Sequence, residues 1–145
     1  MESGEVLLGT HRIGFVQGGS PAELSRALRR LAASGAEALV IIGSGGGPAS
    51  SSRWQSTFDA FRAIECGRHV VRSGAGAAIH DASGRRLAGI SAPLEGSVSA
   101  EILLTDFSTP YVLTAWRLPR ILALVAVCLT VGVAMILRLR GRRSG

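Results

Sequence analysis

Residues 20–42 read SPAELSRALRRLAASGAEALVII, and this stretch decides the fold class. It opens with Ser, Pro and Glu at the N-cap, N1 and N3 positions of a helix, which is the pattern of a capping box. Leu24, Leu28 and Leu31 then form one apolar stripe, and Gly35 ends the helix. The run Ala38–Ile42 is apolar without alternation, which is typical of a strand covered on both faces. The stretch therefore predicts a helix followed by a buried strand.

The alternation of strands and helices continues on both sides of this stretch. Before it, residues 5–17 predict two short extended segments around Gly9. After it, residues 43–53 predict a Gly- and Ser-rich loop, residues 54–66 a second helix and residues 69–72 a strand. Further extended segments are expected at about residues 75–80, 85–90 and 97–104. This order predicts one mixed α/β layer with its helices on one face.

Residues 121–137, ILALVAVCLTVGVAMIL, form a run of seventeen uncharged residues between Arg120 and Arg138. A helix of this length is at the short end of what spans a bilayer core of about 30 Å. Flanking Arg side chains can lengthen such a span because their charged ends reach the interface. The alternative is a buried helix of a soluble core. We predict a domain over residues 1–116, then a single transmembrane helix with a basic tail over residues 117–145.

The formal charge of +6 is unevenly distributed along the chain. Residues 1–116 contain ten Arg and ten acidic residues, whereas residues 117–145 contain six Arg and no acidic residue. This placement favours membrane lipid as a partner and argues against nucleic acid. Four Arg follow the apolar run, so the positive-inside rule predicts a cytoplasmic C-terminus. No signal-peptide pattern opens the chain, which conflicts with an external domain.

Few residues suggest chemistry, and no catalytic residue is predicted with a strong motif. Cys66 and His69 are the one local pairing of a nucleophile with a base, and Ser20 is a further hydroxyl candidate. The alternatives are a helix-end cysteine packed as a small apolar residue and a serine that serves as an N-cap. The three His lack metal-ligand spacing, and the glycines after Ile42 lack the Lys of a phosphate loop. We therefore predict no metal and no cofactor.

Residues 54–84, WQSTFDAFRAIECGRHVVRSGAGAAIHDASG, resemble the stretch after the active site in the nitrilase (carbon–nitrogen hydrolase) superfamily. The matching positions are a Gln-containing helix with an Arg-Ala-x-Glu element, two later Arg and a turn, namely Gln55, Arg62, Ala63, Glu65, Arg68, Arg72 and residues 81–84. Thr109-Pro110-Tyr111, Pro119 and the C-terminal helix are similar to the end of the bacterial apolipoprotein N-acyltransferases. The resemblance implies a partial nitrilase-like sandwich layer, placed by its single-pass helix in the bacterial inner membrane.

The resemblance also implies a Glu, Lys, Cys triad that this sequence does not supply. The family's Cys follows the first strand, where this chain has Val16-Gln17-Gly18-Gly19-Ser20, and the chain contains no Lys. A thioester intermediate cannot form without the thiol. The resemblance therefore implies a remnant of an N-acyltransferase that is not catalytic alone. The alternatives are a split subunit completed by a partner acyltransferase chain, and a module that binds lipid or lipoprotein.

Overall fold

The computed structural model describes residues 1–43, 49–74, 76–90, 96–114 and 117–141. They belong to two compact units, Met1–Leu113 and Thr114–Gly145. The strands of the first unit are β1 Glu2–Leu8, β2 His11–Gln17, β3 Ala38–Ile42, β4 His69–Ser73, β5 Ala78–His80 and β6 Arg86–Gly89. The helices of the described chain are α1 Pro21–Ala33, α2 Ala49–Cys66, the short α3 Pro110–Thr114 and, in the second unit, α4 Arg117–Gly141.

The strands form one sheet in the order of the sequence, β1-β2-β3-β4-β5-β6. The central strands β2, β3 and β4 run parallel, and helices α1 and α2 connect them. The outer pairs are antiparallel, and β1 joins β2 through a turn in which Gly9 has a φ of +65°. This φ is open to glycine at little cost. The predicted mixed α/β layer is confirmed, and the two segments around Gly9 form its first hairpin.

The predicted capping box at the start of α1 is confirmed. The Ser20 hydroxyl accepts a hydrogen bond from the Glu23 backbone N–H at 3.4 Å, and the Glu23 carboxylate accepts one from the Ser20 backbone N–H at 2.8 Å. Leu28 and Leu31 are buried and Leu24 packs against the same core. The capping box and the apolar stripe therefore act together, since one fixes where the helix begins and the other fixes which side faces the sheet.

Helices α1 and α2 both pack on one face of the sheet. Gly14 of β2 lies under α1, because a Cβ atom there would be 3.0 Å from Cβ of Leu31. Side chains alternate along a strand, so the residues in register with Gly14 and two positions further share this face. These strand residues pack with the two helices in a fully buried core. The strand members of that core are Val16, Leu39, Ile41 and Val70.

Two local predictions differ from the structure. Helix α2 begins at Ala49, so the end of the predicted loop over residues 43–53 is helical, whereas residues 44–48 lie outside the described chain. Residues 97–104 form no strand, although an extended segment is predicted there. Leu103 is 82% exposed. Directly after this segment, the Thr105 hydroxyl donates to the Gly67 carbonyl at 3.3 Å.

The predicted transmembrane helix is wrong. Helix α4 contains the apolar run, yet no helix in the described residues combines the length and apolar character needed to cross a membrane. The uncharged run has seventeen residues, fewer than the usual span of about 20. Moreover, α4 extends beyond both ends of the run, so Arg120 and Arg138 are part of the helix. The predicted single-pass location in the bacterial inner membrane, with a cytoplasmic C-terminus, is overturned by the same finding.

Candidate functional site

Ser20, the hydroxyl candidate, is engaged at the start of α1. Its hydroxyl donates to the Glu23 carboxylate at 2.9 Å and accepts from the Glu23 backbone N–H. Hydrogen bonds from the backbone N–H and the hydroxyl of Ser20 lower the pKa of the Glu23 carboxyl. A carboxylate of lowered pKa is a weak general base, so Glu23 is poorly suited to activating this hydroxyl. The geometry assigns Ser20 the work of a helix cap.

Cys66, the thiol candidate, ends α2 and is packed into the core, with 1% of its surface exposed. Burial raises the pKa of its thiol to about 12, and the neighbouring Glu65 carboxylate adds to the increase. The thiolate is the nucleophilic form of cysteine, and almost none of it exists near neutral pH at such a pKa. Cys66 therefore behaves as a small apolar core residue.

His69, the candidate base, begins β4 on the other side of the sheet from Cys66. Its neighbour Val70 belongs to the core under the helices, as does Cys66, so the alternation along β4 turns His69 to the opposite face. His69 is 7% exposed, and its Nδ1 has no hydrogen-bond partner in the described part of the chain. Ser20 follows the carboxyl end of β2, far along the sheet from the amino end of β4. The structure does not bring the three candidates together.

We expect Cys66 to resist alkylation in the folded protein. With iodoacetamide at pH 8, peptide mass spectrometry should find Cys128, whose side chain is exposed, labelled at least about 100-fold faster than Cys66. Both access and thiolate population disfavour Cys66. In guanidinium chloride the two thiols should react at similar rates, which provides the control. Rapid labelling of Cys66 in the native protein would restore it as a nucleophile candidate.

A polar cluster beneath α2 was not identified from the sequence. Asp59 is fully buried, and its two oxygens accept hydrogen bonds from Nε and Nη2 of Arg72 on β4, the second at 2.6 Å. Beside this ion pair, Nε2 of the buried His80 on β5 lies 3.2 Å from the Ser56 hydroxyl. Ser56 and Asp59 are three residues apart and share a face of α2, which was the available signal. Their partners depend on the sheet register, which the sequence pattern does not specify.

This cluster contains the residue types of a Ser-His-Asp triad, but it lacks the hydrogen bond between the Asp and the His that a triad requires. Asp59 binds Arg72, and Nδ1 of His80 has no hydrogen-bond partner among the described residues. A triad needs the acid on that nitrogen, because the acid fixes the tautomer and orientation of the imidazole. Nor do three His, Cys, Asp or Glu side chains come together as metal ligands anywhere in the described chain. The cluster joins α2 to the sheet and lacks the geometry of a catalytic centre.

We expect His80 to make the protein less stable in acid. Burial is the main cause that lowers the pKa of its imidazole. The carboxylates of Asp59 and Asp81 act in the opposite direction, and the guanidinium groups of Arg86 and Arg72 lower the pKa further. The unfolded chain titrates near pH 6.5 and therefore binds more protons than the native chain just below that pH. The contribution of neutral His80 to the unfolding free energy is complete above about pH 6.5, and it is lost as the pH falls towards the lowered pKa of His80 in the native chain.

Urea unfolding at pH 5.5 and 7.5 measures this effect. One proton contributes at most about 1.4 kcal/mol of unfolding free energy per pH unit. The variant His80→Gln keeps a polar group for Ser56 and does not titrate, so its unfolding free energy should change less over this interval. The difference between the two proteins isolates His80 from the other titrating groups. An equal pH dependence in both would show that His80 is protonated equally in the native and unfolded chains.

The face of the sheet opposite α1 and α2 carries apolar side chains that are only partly covered. Phe15 lies over the neighbouring strand, because a Cβ atom on Gly4 would be 2.7 Å from its ring. Val6 is 48% exposed and Leu8 62% exposed. We call this surface the helix-free face. Ala38 and His69 on it are buried, and its partly or largely exposed apolar side chains on four adjacent strands are Val6, Leu8, Ile13, Phe15, Val40, Ile42 and Val71.

Comparisons with solved structures identify the fold. The sequence matches no protein-family profile and no curated protein. A mutant of an amidase of the nitrilase superfamily from Nesterenkonia AN1 superposes with a TM-score of 0.52 at 15% identity. Nit3 of Saccharomyces cerevisiae, a member of branch 10 of the nitrilase superfamily, superposes with a TM-score of 0.54 at 13% identity. The chain therefore contains part of a nitrilase-like fold, and at identities this low the superpositions show similarity of fold alone.

These superpositions cover a larger share of this chain than of the proteins with which it is compared. The amidase comparison covers 68% of this chain and 40% of the amidase, and the Nit3 comparison covers 63% of this chain and 37% of Nit3. The chain thus spans about two fifths of the length of the nitrilase-superfamily proteins that it resembles. The prediction of a partial nitrilase-like α/β fold is therefore confirmed.

Proposed function

We propose that this chain is one layer of a nitrilase-like assembly, and that a complementary chain of the same superfamily packs a second sheet on the helix-free face. The observation that carries the proposal is the partly exposed apolar surface across β1 to β4. An apolar sheet face is stable in water only when another layer covers it, and two sheets pack face to face about 10 Å apart.

The size of the helix-free face supports a specific partner. Four strands about 4.8 Å apart and five to seven residues long give a footprint of roughly 400 Å². Apolar patches of this size on a monomer are often functional. The contrast within single strands points the same way, because Val16 and Ile41 on the helix side are buried, whereas their neighbours Phe15 and Val40 remain partly exposed.

The proposed division of labour leaves the chemistry to the complementary chain. After β2 this chain has Gly18 and Gly19, and it contains no Lys. The partner would supply the nucleophile Cys and the Glu and Lys that act with it, while this chain supplies the scaffold. The resemblance of residues 54–84 and of Thr109-Pro110-Tyr111 makes N-acyl transfer to lipoprotein the reaction that we propose for the pair. We propose that this chain alone has no N-acyltransferase activity.

Two neighbouring leucines of β1 give a matched test. Leu8 lies on the helix-free face and is 62% exposed, and Leu7 lies on the other side of the same strand and is 66% exposed. The wild-type chain and the variants Leu7→Glu and Leu8→Glu are used as bait in extracts of the source organism. A nitrilase-superfamily chain with Glu, Lys and Cys should be retained by wild type and Leu7→Glu and lost with Leu8→Glu.

Activity decides whether the retained chain is the proposed partner. With phospholipid and a diacylated lipopeptide, the purified chain alone should give no N-acylated product above a blank without protein. The pair should give product, and Leu8→Glu should reduce it at least about 10-fold at limiting concentration. Product from the isolated chain that disappears with Cys66→Ala or Ser20→Ala would overturn the proposal. So would a homodimer, seen by light scattering, that Leu8→Glu but not Leu7→Glu dissociates.

A further inference from the structure

A cleft of about 160 Å³ opens between the amino end of α1 and the face of α2. It lies beyond the carboxyl end of β2, on the helix side of the sheet. Pro21, Leu24 and Phe58 supply apolar walls, and Gln55, Asp59, Arg62 and Arg72 supply the polar groups. The cleft is therefore separate from the helix-free face and contains neither Cys66, His69 nor Ser20.

The cleft presents N–H donors for which the described part of the chain shows no acceptor. Arg72 gives Nε and Nη2 to Asp59, and no described residue accepts from its Nη1. Arg62 gives Nη1 to the Ser25 hydroxyl at 2.8 Å and to the Glu65 carboxylate, and no described residue accepts from its Nε or Nη2. These N–H groups sit in fixed positions, because each guanidinium is planar and already anchored.

Each guanidinium group at the cleft is paired with one carboxylate. Two guanidinium groups and one carboxylate line it, and both oxygens of that carboxylate, on Asp59, already accept from Arg72. The Glu65 carboxylate that pairs with Arg62 is not part of the lining. A ligand in the cleft therefore meets N–H donors for which the described residues show no acceptor, on guanidinium groups that are each already held by one carboxylate. These features favour a carboxylate, which guanidinium groups bind by charge-assisted hydrogen bonds.

The volume and the apolar walls limit what is attached to that carboxylate. An apolar protein cavity of about 150 Å³ holds a molecule of the size of benzene. The cleft thus suits a ligand of about six to eight non-hydrogen atoms, with an apolar body against Leu24 and Phe58. We propose that the cleft binds the carboxylate of a short acyl chain of about four to six carbon atoms, with Arg62 and Arg72 as donors. This inference does not depend on the proposed assembly.

Ligand-observed NMR with the full chain tests the chemistry of the ligand. The probes are pentanoate, its neutral analogue pentanamide and its cationic analogue pentylamine. Pentanoate should bind with a Kd on the order of 1 mM, a value reasonable for seven non-hydrogen atoms. Pentanamide should bind at least about 10-fold more weakly, and pentylamine should give no saturation transfer. Equal binding of pentanoate and pentanamide, or no binding of pentanoate at 10 times the expected Kd (about 10 mM), would overturn the proposal.

Two phenylalanines of α2 give variants that place the ligand. Phe58 lines the cleft and is 48% exposed, and Phe61 on the same helix is 58% exposed and does not line it. Phe58→Glu puts a like charge beside the carboxylate and should weaken pentanoate binding at least about 10-fold, whereas Phe61→Glu should leave it unchanged. Both side chains are exposed, so both variants should fold. Equal effects of the two changes would show that pentanoate binds elsewhere.

A pair of arginine variants tests the donor. Arg62→Gln removes the charge at the cleft, and Arg53→Gln removes a charge from an exposed position of the same helix. Pentanoate binding should fall at least about 10-fold in the first and stay unchanged in the second. Far-UV circular dichroism checks that each variant is folded. Unchanged binding in folded Arg62→Gln would overturn the assignment of Arg62 as a donor.

Discussion

Replacing Asp59 with alanine should destabilise this protein by about 3–5 kcal/mol, because the change leaves the guanidinium of Arg72 buried without its counter-charge. Asp59 is fully buried, and the Arg72 side chain is 10% exposed. A bidentate ion pair between a guanidinium and a carboxylate also fixes the orientation of the two side chains, so its loss should loosen the packing of α2 on β4. Urea unfolding should report the change, and the melting temperature should fall by roughly 10–20 °C.

An exposed ion pair provides the control for Asp59→Ala. Arg85 pairs with Asp81 at 3.3 Å while its side chain is 76% exposed, so Arg85→Ala should cost no more than about 0.5 kcal/mol. The double variant Asp59→Leu, Arg72→Met removes both charges and should recover much of the stability that Asp59→Ala loses. A loss for Asp59→Ala as small as that for Arg85→Ala would show that water reaches the Arg72 guanidinium in solution.

The parts of the fold that local chemistry controls could be predicted from the sequence. The capping box of Ser20 and Glu23 and the leucine stripe that follows it specify where α1 begins and which side is buried. The run Ala38–Ile42 identifies a strand because no polar residue interrupts it, but the predicted cover on both faces is found only on the helix side, since Val40 and Ile42 are partly exposed. The layer architecture follows from these elements, since helices and strands in alternation pack with few alternatives.

The parts that depend on contacts distant in sequence could not be predicted in the same way. The pairing of Asp59 with Arg72 requires the register of α2 over β4, and a charged residue in a helix is more often exposed than buried. The apolar run of α4 predicts a membrane span on composition alone, but the helix continues through the Arg at both of its ends. The pairing of Cys66 with His69 rests on a spacing of three residues, whereas the sheet places the two on opposite sides.

Arg68, which the sequence singles out only as a match to the nitrilase pattern, should be the second site of large effect. It is 1% exposed, and it donates to three carbonyl oxygens from separate parts of the chain. Nε donates to Ala36 at 2.6 Å, and Nη1 donates to Gly67 at 3.2 Å and to Phe107. Burial lowers the pKa of this guanidinium, which reflects the cost of removing its charge from water. The three hydrogen bonds offset that cost.

Arg68→Met should destabilise the chain by about 3–5 kcal/mol, since the Ala36 and Phe107 carbonyls lose this donor at about 1–3 kcal/mol each, whereas the Gly67 carbonyl keeps the Thr105 hydroxyl. Arg68→Lys keeps the charge and should recover less than half of the loss, because one ammonium cannot reach the positions of a planar fork. Hydrogen exchange shows where the structure loosens. The Leu113 amide, which donates to the Thr109 carbonyl at 3.1 Å, should lose protection first. Arg85→Met, at an exposed position, should leave that amide unchanged. Full stability in Arg68→Lys would mean that charge alone, and not the fork, holds residues 105–113 against the sheet.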